Sequence, residues 1–278
     1  MNTREEAEEV LRRIAKASDE TIDLAEGALA LAALDRPRVG LDRYRDHLTS
    51  LASEVGALAR DIARPDLASC AVAINTVLFR NHGYAGDTLT YDDMQNANLI
   101  RVIDRKKGLP VALGILYLHA GRAQGWSVYG INFPGHFLVA LDVGGERVIL
   151  DPFAGGAARQ TDELRALLKS VAEDEAELLP EHYAPMGNRD VLLRLENNIK
   201  LRQLRSGATD AALATLDAML LFAPDRAELW REAGLLNARR GNLRAAVEAL
   251  ERFMTLDVGH AERYQIAALL QSLRTRIN

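Results

Sequence analysis

The sequence predicts an α+β protein: a core helix packed on antiparallel strands, capped by helices on its N-terminal side and followed by an α-helical repeat module. Three observations predict it. The apolar run from Pro110 to Gly125 reads as one buried helix. β-Branched and aromatic residues then dominate up to Asp151, around a Gly144-Gly145 turn signal. After Asp190, residues 34 apart match each other.

The chain opens with helical signatures. Arg4 to Lys16 is charged and amphipathic, Thr21 to Leu34 carries ALALAAL, and Tyr44 to Ile62 follows Pro37 and Gly40. The stretch Asp19 to Ile62 is expected to cap the core. LASCAVAINTVLF is an Ala-rich apolar helix holding the only cysteine, Cys70, which in that setting behaves as a small hydrophobe.

Gly108-Leu109-Pro110 opens the core helix. Val111, Leu113, Ile115, Leu116 and Leu118 suit a mostly buried helix, Pro110 fits its first position, and Gly125 ends it. Beyond Trp126, the residues Val128, Tyr129, Ile131 and Phe133 read as a strand that Pro134-Gly135 punctuates. His136 to Val143 and Glu146 to Asp151 flank Gly144-Gly145 as a β-hairpin.

Counting outward from that turn, Val143 faces Glu146 and Leu138 faces Asp151. His136 lies two residues along on the same face, so His136 and Asp151 are diagonal neighbours within side-chain reach. A histidine oriented by a carboxylate is the general-base half of a triad, although such a pair is more often structural.

In the C-terminal part, Gly207 matches Gly241, Ala212 matches Ala246, Leu216 matches Leu250, Trp230 matches Tyr264 and Ala233 matches Ala267, with Pro224 and Gly234 at further landmarks. This is a tetratricopeptide-type period, in which small residues let paired helices approach and stacked pairs bury a continuous core. Val258 departs from it where a proline would end a repeat, and Glu196 stands where Trp230 later does. Two units are fewer than usually stand alone, so the array is expected to dock on the first domain, to dimerise, or both. The expected domains are 1–189 and 190–278.

The segments NTVLFRNHGYAGD, Tyr91 and Asn96 through DRKKGLPVALGILYLHAGRAQG, FPGHFLVAL and LDPFAGG carry a resemblance. From about Glu26 to Leu168 the chain resembles the SirB1 family, a branch of the transglutaminase-like, papain-related superfamily. The resemblance implies a papain/transglutaminase-like core. In active members a Cys begins the core helix two residues after a Gly, and a later Gly closes that helix. Matching those glycines to Gly108 and Gly125 places Pro110 at the nucleophile position, with His136 and Asp151 on the family His and Asp.

A thiolate at a helix start is stabilised by the helix dipole and a nearby imidazole, and proline supplies neither a nucleophile nor an N–H there. The resemblance makes this Gly-hydrophobic-Pro sequence a feature of the SirB1 branch. Cys70 is the remaining route to catalysis, since the order Cys70, His136, Asp151 matches that of a papain-like triad.

The expected function is therefore a non-catalytic module that binds a peptide or protein partner in a regulatory or adaptor role. The alternative is a cysteine-type amide or isopeptide hydrolase or transferase using Cys70 or a water activated by His136; a base without a nucleophile or metal beside it lacks the constellation that acyl transfer needs. The segments Asn81 to Asn98 and Glu173 to Asn188 are the ones that could lie over the groove.

Composition frames the rest. With 278 residues, 48% hydrophobic and 26% charged, the chain can bury one good core plus a second module. A formal charge of −5 gives no global argument for nucleic acid. Arg101, Arg105, Lys106 and Lys107 form a local basic patch, read as a solvated helix end. MNTREEAEEV lacks signal-peptide character and no apolar run approaches a membrane span, so a cytoplasmic location without membrane contact is expected. One cysteine cannot form an internal disulfide. No HExxH or CxxC spacing suggests a metal, and no cofactor is expected. His47, His82, His119, His182 and His260 read as solvent-facing or locally bonded. Homodimerisation through the repeats is a further expectation.

Overall fold

The computed structural model describes residues 3–60, 66–171 and 177–277. The predicted helix end at Ile62 and the predicted start of a covering segment at Glu173 lie outside these residues. Two compact units emerge: Met1–Val10 with Ala17–Leu195, and Leu11–Lys16 with Glu196–Asn278.

The first unit is α+β, as the sequence predicts. Helix α1 (Thr3–Lys16) is amphipathic. Helix α2 (Leu24–Asp35) starts where Asp23 Oδ1 accepts from the amides of Ala25 and Glu26, which satisfies two first-turn donors. Helix α3 (Asp42–Arg60) buries Tyr44, Leu48, Leu51 and Val55, one stripe at helical spacing. Asp66 and Ser69 form the capping box of α4 (Leu67–Asn75), which runs into a π-helical turn, Thr76–Asn81.

Next come β1 (Ala85–Gly86), the short helix α5 (Leu99–Arg105) and β2 (Lys107–Gly108), with β1 and β2 paired in parallel. Helix α6 (Pro110–Arg122) follows at once, with Pro110 at its first position, and Gly125 beyond its end has a φ of 75°. Apart from His119 and Arg122, every residue of α6 is buried. It is the core helix, packed among α2, α3, α4, α5 and the strands.

The sheet follows as β3 (Ser127–Ile131), β4 (Leu138–Val143), β5 (Glu146–Asp151) and β6 (Ala157–Ala158), antiparallel in that spatial order. Gly144 and Gly145 have φ values of 61° and 86°, as a type I′ two-residue turn requires. The ladder runs from Val143–Glu146 to Val139–Leu150, the register counted from the sequence. At one edge, β3 is covered by residues 184–186: the Met186 amide donates to the Gly130 carbonyl and the Asn132 amide to that of Ala184. At the other, β6 pairs through only two residues.

Phe137 locks the strands to the core helix. Its ring lies against two glycines; a Cβ at Gly114 of α6 would stand 2.3 Å from Cε1, and one at Gly130 of β3 would stand 2.7 Å from Cζ. Glycine is required at both because the ring occupies the space. Helix α7 (Thr161–Lys169) buries Leu164 and Leu168 against the cluster of Ile131, Phe133, Leu138 and Ala140.

The structure corrects three expectations. His136 does not extend strand β4; it sits in the turn after Pro134-Gly135, which breaks the ladder before it. The basic patch is not a solvated helix end. Arg105 bonds Asp87, only 2% exposed, and Asn96, while Lys106 bonds His47 and Tyr84; Lys107 is exposed. Finally, His47, His82 and His119 are partly buried and bonded to distant residues, His47 to Tyr84, His82 to Glu54 and His119 to the Leu48 carbonyl, since α3 packs against both α6 and the turn before His82.

The second unit is helical: the end of α8 (Asn188–Arg205), then α9 (Thr209–Phe222), α10 (Ala227–Arg240), α11 (Leu243–Thr255) and α12 (His260–Ile277). The repeat landmarks perform their expected jobs. Gly207 and Gly241 adopt φ values of 76° and 81° in the turns between helices, and Gly234 admits Leu250, whose Cγ would lie 2.5 Å from a Cβ there. Trp230 packs on the cluster of Ala246, Leu250, Phe253, Ile266, Leu270 and Leu273, and its indole donates to the Pro224 carbonyl at 2.8 Å.

Candidate functional site

The end of β5 and the turn before β4 bring His136 and Asp151 together. His136 Nε2 stands 3.0 Å from Asp151 Oδ1. The same oxygen accepts from the amides of Phe153 at 3.0 Å and Ala154 at 3.3 Å, because Asp151 also caps the turn Pro152–Ala154. Its other oxygen accepts from Arg159 Nε at 3.2 Å and Nη2 at 2.8 Å.

Asp151 is thus a 2% exposed carboxylate with every oxygen occupied. Burial pushes its pKa up, but the hydrogen bonds and charges of His136 and Arg159 outweigh it and hold the group below the ordinary value. A proton on His136 Nε2 shared with this carboxylate leaves the Nδ1 lone pair as the imidazole's basic face.

Arg194 fixes the histidine turn from behind. Its Nη2 donates to the main-chain carbonyls of both Phe133 and His136, and its guanidinium lies 5.8 Å from the centroid of the Phe137 ring. Phe153 meets the His136 ring edge-to-face at 6.3 Å and Tyr91 at 5.6 Å, and it lies against Gly86, where a Cβ would come within 2.6 Å of it.

Pro110, buried at the start of α6, has no side-chain atom that could act as a nucleophile. Cys70 is fully buried on α4, where burial pushes its thiol pKa up and Asp66 adds to the shift. It makes no hydrogen bond or ion pair with His136. Its electrostatic neighbour within the core is Tyr117, whose hydroxyl has no hydrogen-bond partner among the described residues. The arrangement pairs an imidazole with a buried carboxylate, and among the described residues neither Pro110 nor Cys70 is hydrogen-bonded to it. Among the described residues, no cluster of His, Cys, Asp or Glu could hold a metal ion.

A pocket of about 520 Å³ opens between α4 and β5–β6, lined by Leu67, Ala71, Val72, Asn75, Val148 and Leu150 among others. His136, Asp151 and Pro110 do not line it. Its walls are largely apolar, and Val72 is 56% exposed there.

The sequence pointed to His136, Asp151, Pro110 and Cys70 but missed Arg159, Arg194 and the wedge of Phe153. Phe153 and Gly86 lay inside the motif segments, so those segments held the signal. Arg194 carried none, being one arginine of an ordinary helix 58 residues from the carbonyl that it binds.

The sequence profile described as "Transglutaminase-like superfamily" matches residues 42–197, more than half of the chain. The chain belongs to the transglutaminase-like superfamily. Within it, the chain is similar to the "UPF0162 protein" of Xylella fastidiosa, at 29% identity over 246 residues that make up 87% of each chain. The UPF0162 protein of Vibrio cholerae is 33% identical over 218 residues, 78% of this chain and 80% of that one. These are SirB-type relatives. A shorter match, 29% over 171 residues, joins 56% of this chain to 26% of mouse "F-box only protein 21". A tetratricopeptide repeat profile matches residues 199–271 of this transglutaminase-like protein, and such repeats generally mediate protein–protein interaction. No helix among the described residues is long and apolar enough to cross a membrane.

Proposed function

We propose that this transglutaminase-like protein is a non-catalytic module that binds a peptide or protein partner in a regulatory or adaptor role. The observation that carries the reading is Pro110 at the first position of the buried helix α6, the position to which the family resemblance assigns the nucleophilic cysteine of active members. His136 and Asp151 form the base half of a triad in this reading, but a base with no nucleophile or metal to work with does not complete acyl transfer. Cys70 does not replace the missing thiol, since a buried thiol with a raised pKa is neither exposed nor ionised.

Two surfaces support binding. The apolar pocket between α4 and β5–β6 offers exposed Val72. In the repeats, Tyr264 on α12 is 80% exposed, although the matching Trp230 packs into the helical core. An exposed aromatic at that repeat position is a contact surface for a partner, a second copy of the chain included.

Panning a displayed peptide library on the full chain tests the proposal. Enrichment of one consensus, with binding that survives His136→Ala and weakens with Val72→Asp or Tyr264→Ser, is the expected result. Turnover of an amide or isopeptide substrate that disappears with His136→Ala or Cys70→Ser overturns the non-catalytic reading.

A further inference from the structure

Lys106 lies outside the His136–Asp151 pair and ends helix α5 in an unusual way. Its φ of 58° makes it the one non-glycine residue in the left-handed region among those described, a conformation few side-chain-bearing residues adopt. The backbone is held on both sides: its amide donates to the Val102 carbonyl at 2.8 Å, and its carbonyl accepts from the Ala85 amide at 2.9 Å. This bend delivers the ammonium group into a polar cluster rather than to solvent.

Lys106 Nζ stands 3.1 Å from His47 Nε2 and 3.2 Å from the Tyr84 hydroxyl, which is itself 2.8 Å from His47 Nε2. The same nitrogen lies 4.4 Å from the centroid of the Tyr84 ring. Tyr84 is buried, whereas Lys106 and His47 are only partly so. The other titratable groups facing the cluster are His82, whose ring is 5.3 Å from that of His47, Glu54 bonded to His82, and Asp104 beside Lys106. Asp104 is already held by Arg36, Arg43 and Tyr44.

Burial favours an uncharged amine, while Asp104 and the Tyr84 ring favour the ammonium. Burial lowers the Lys106 pKa, with Asp104 opposing. Burial, and then the charge of Lys106, pull His47 down to about 4, so at neutral pH its imidazole is unprotonated and can accept a hydrogen bond from the amine. A desolvated amine beside a proton acceptor is the usual form of an activated lysine.

We propose that Lys106 is an acyl-acceptor amine, a modification site to which an acyl phosphate or a thioester transfers its acyl group. The amine lone pair attacks the carbonyl carbon and forms the C–N bond. The bond to phosphate oxygen or thiolate sulfur breaks, and its electron pair leaves with that group. The surplus amine proton is lost to solvent along the hydrogen bonds that join the amine to His47 Nε2 and the Tyr84 hydroxyl. The product is a neutral amide, and the positive charge beside His47 is gone.

The test uses the full chain with acetyl phosphate, with initial acetylation rates at each lysine read by peptide mass mapping. Lys107, adjacent and exposed, is the internal reference, with Lys16 and Lys169 as further controls. Lys106 is expected to acetylate several-fold faster than Lys107 at pH 7, the direction that burial of its amine gives. The advantage should vanish in His47→Gln or in Tyr84→Phe, the second of which keeps the ring beneath the amine and so stays folded if the first does not. In the acetylated protein the His47 imidazole should titrate at higher pH by NMR. Equal or slower reaction at Lys106 overturns the proposal, as does an advantage retained in both variants.

Discussion

Asp151 divides its two carboxylate oxygens between His136 on one side and Arg159 on the other, and caps the following turn with the oxygen that faces His136. One buried side chain thereby ties the end of β5, the turn after it and the histidine turn before β4. The pair that resembles catalytic machinery is also a structural tie.

Replacing Asp151 with Asn should cost about 2–4 kcal/mol, since it leaves Arg159 and His136 facing an amide in a buried setting. The pH dependence follows from the lowered carboxyl pKa. A group with a depressed folded value contributes stability that is complete above its unfolded value near about 3.9, and that is lost as pH falls through the folded value. Urea midpoints measured from pH 6 down to the acid limit should show this loss in the natural protein and not in Asp151→Asn. Identical acid limbs would contradict it.

His47 predicts a different window. Its folded value of about 4 lies below the ordinary 6.5, so between these values the unfolded chain binds more protons and stability falls as pH drops. The groups facing it are Lys106, Tyr84, His82 and Glu54. Thermal midpoints from pH 7 to pH 4 should decline less steeply in His47→Gln; an unchanged slope would remove His47 as the cause.

Gly114 and Gly130 are predicted to be intolerant of alanine. Either methyl would overlap the Phe137 ring, an overpacking cost of about 1–3 kcal/mol. Phe137→Leu should restore part of the loss in the Gly114→Ala background, read as a double-mutant cycle by denaturant unfolding. Strict additivity would show that the ring is not the obstacle.

Pro110→Cys, made in a Cys70→Ala background, asks whether the start of α6 still favours an anion. A thiol there should alkylate with a midpoint below the ordinary value of about 8.5, because of the helix dipole. A midpoint at or above that value would show that burial has the stronger hold.

Much of this was legible in the sequence where local rules apply. Pro110 and Gly125 bracket the core helix, and Gly144-Gly145 set a register that placed Asp151 at the end of β5. His136 was matched with its partner even though it lies in a turn rather than a strand, because the side chain reaches where the backbone does not continue. Arg194, Arg159 and the long-range partners of His47 were illegible. Arg194 and His47 bond groups far away in sequence, which neither periodicity nor turn chemistry encodes, and Arg159, eight residues from Asp151, is placed by how the chain folds back after β5. The charges of Arg105 and Lys106 misled for the same reason, since a basic run looks identical whether it faces water or Asp87, His47 and Tyr84.

The sheet also bears on how the chain avoids aggregation. An open strand edge is a template for a second copy, yet the outer side of β3 is already bonded to residues 184–186, and β6 offers only two residues of ladder. The part of β5 that β6 leaves uncovered begins with exposed Glu146 and Arg147, whose charges disfavour an approaching strand. Pairing between copies through this sheet is thereby discouraged at both margins, so the protein can present an apolar pocket beside β5 without offering an edge along which chains would stack.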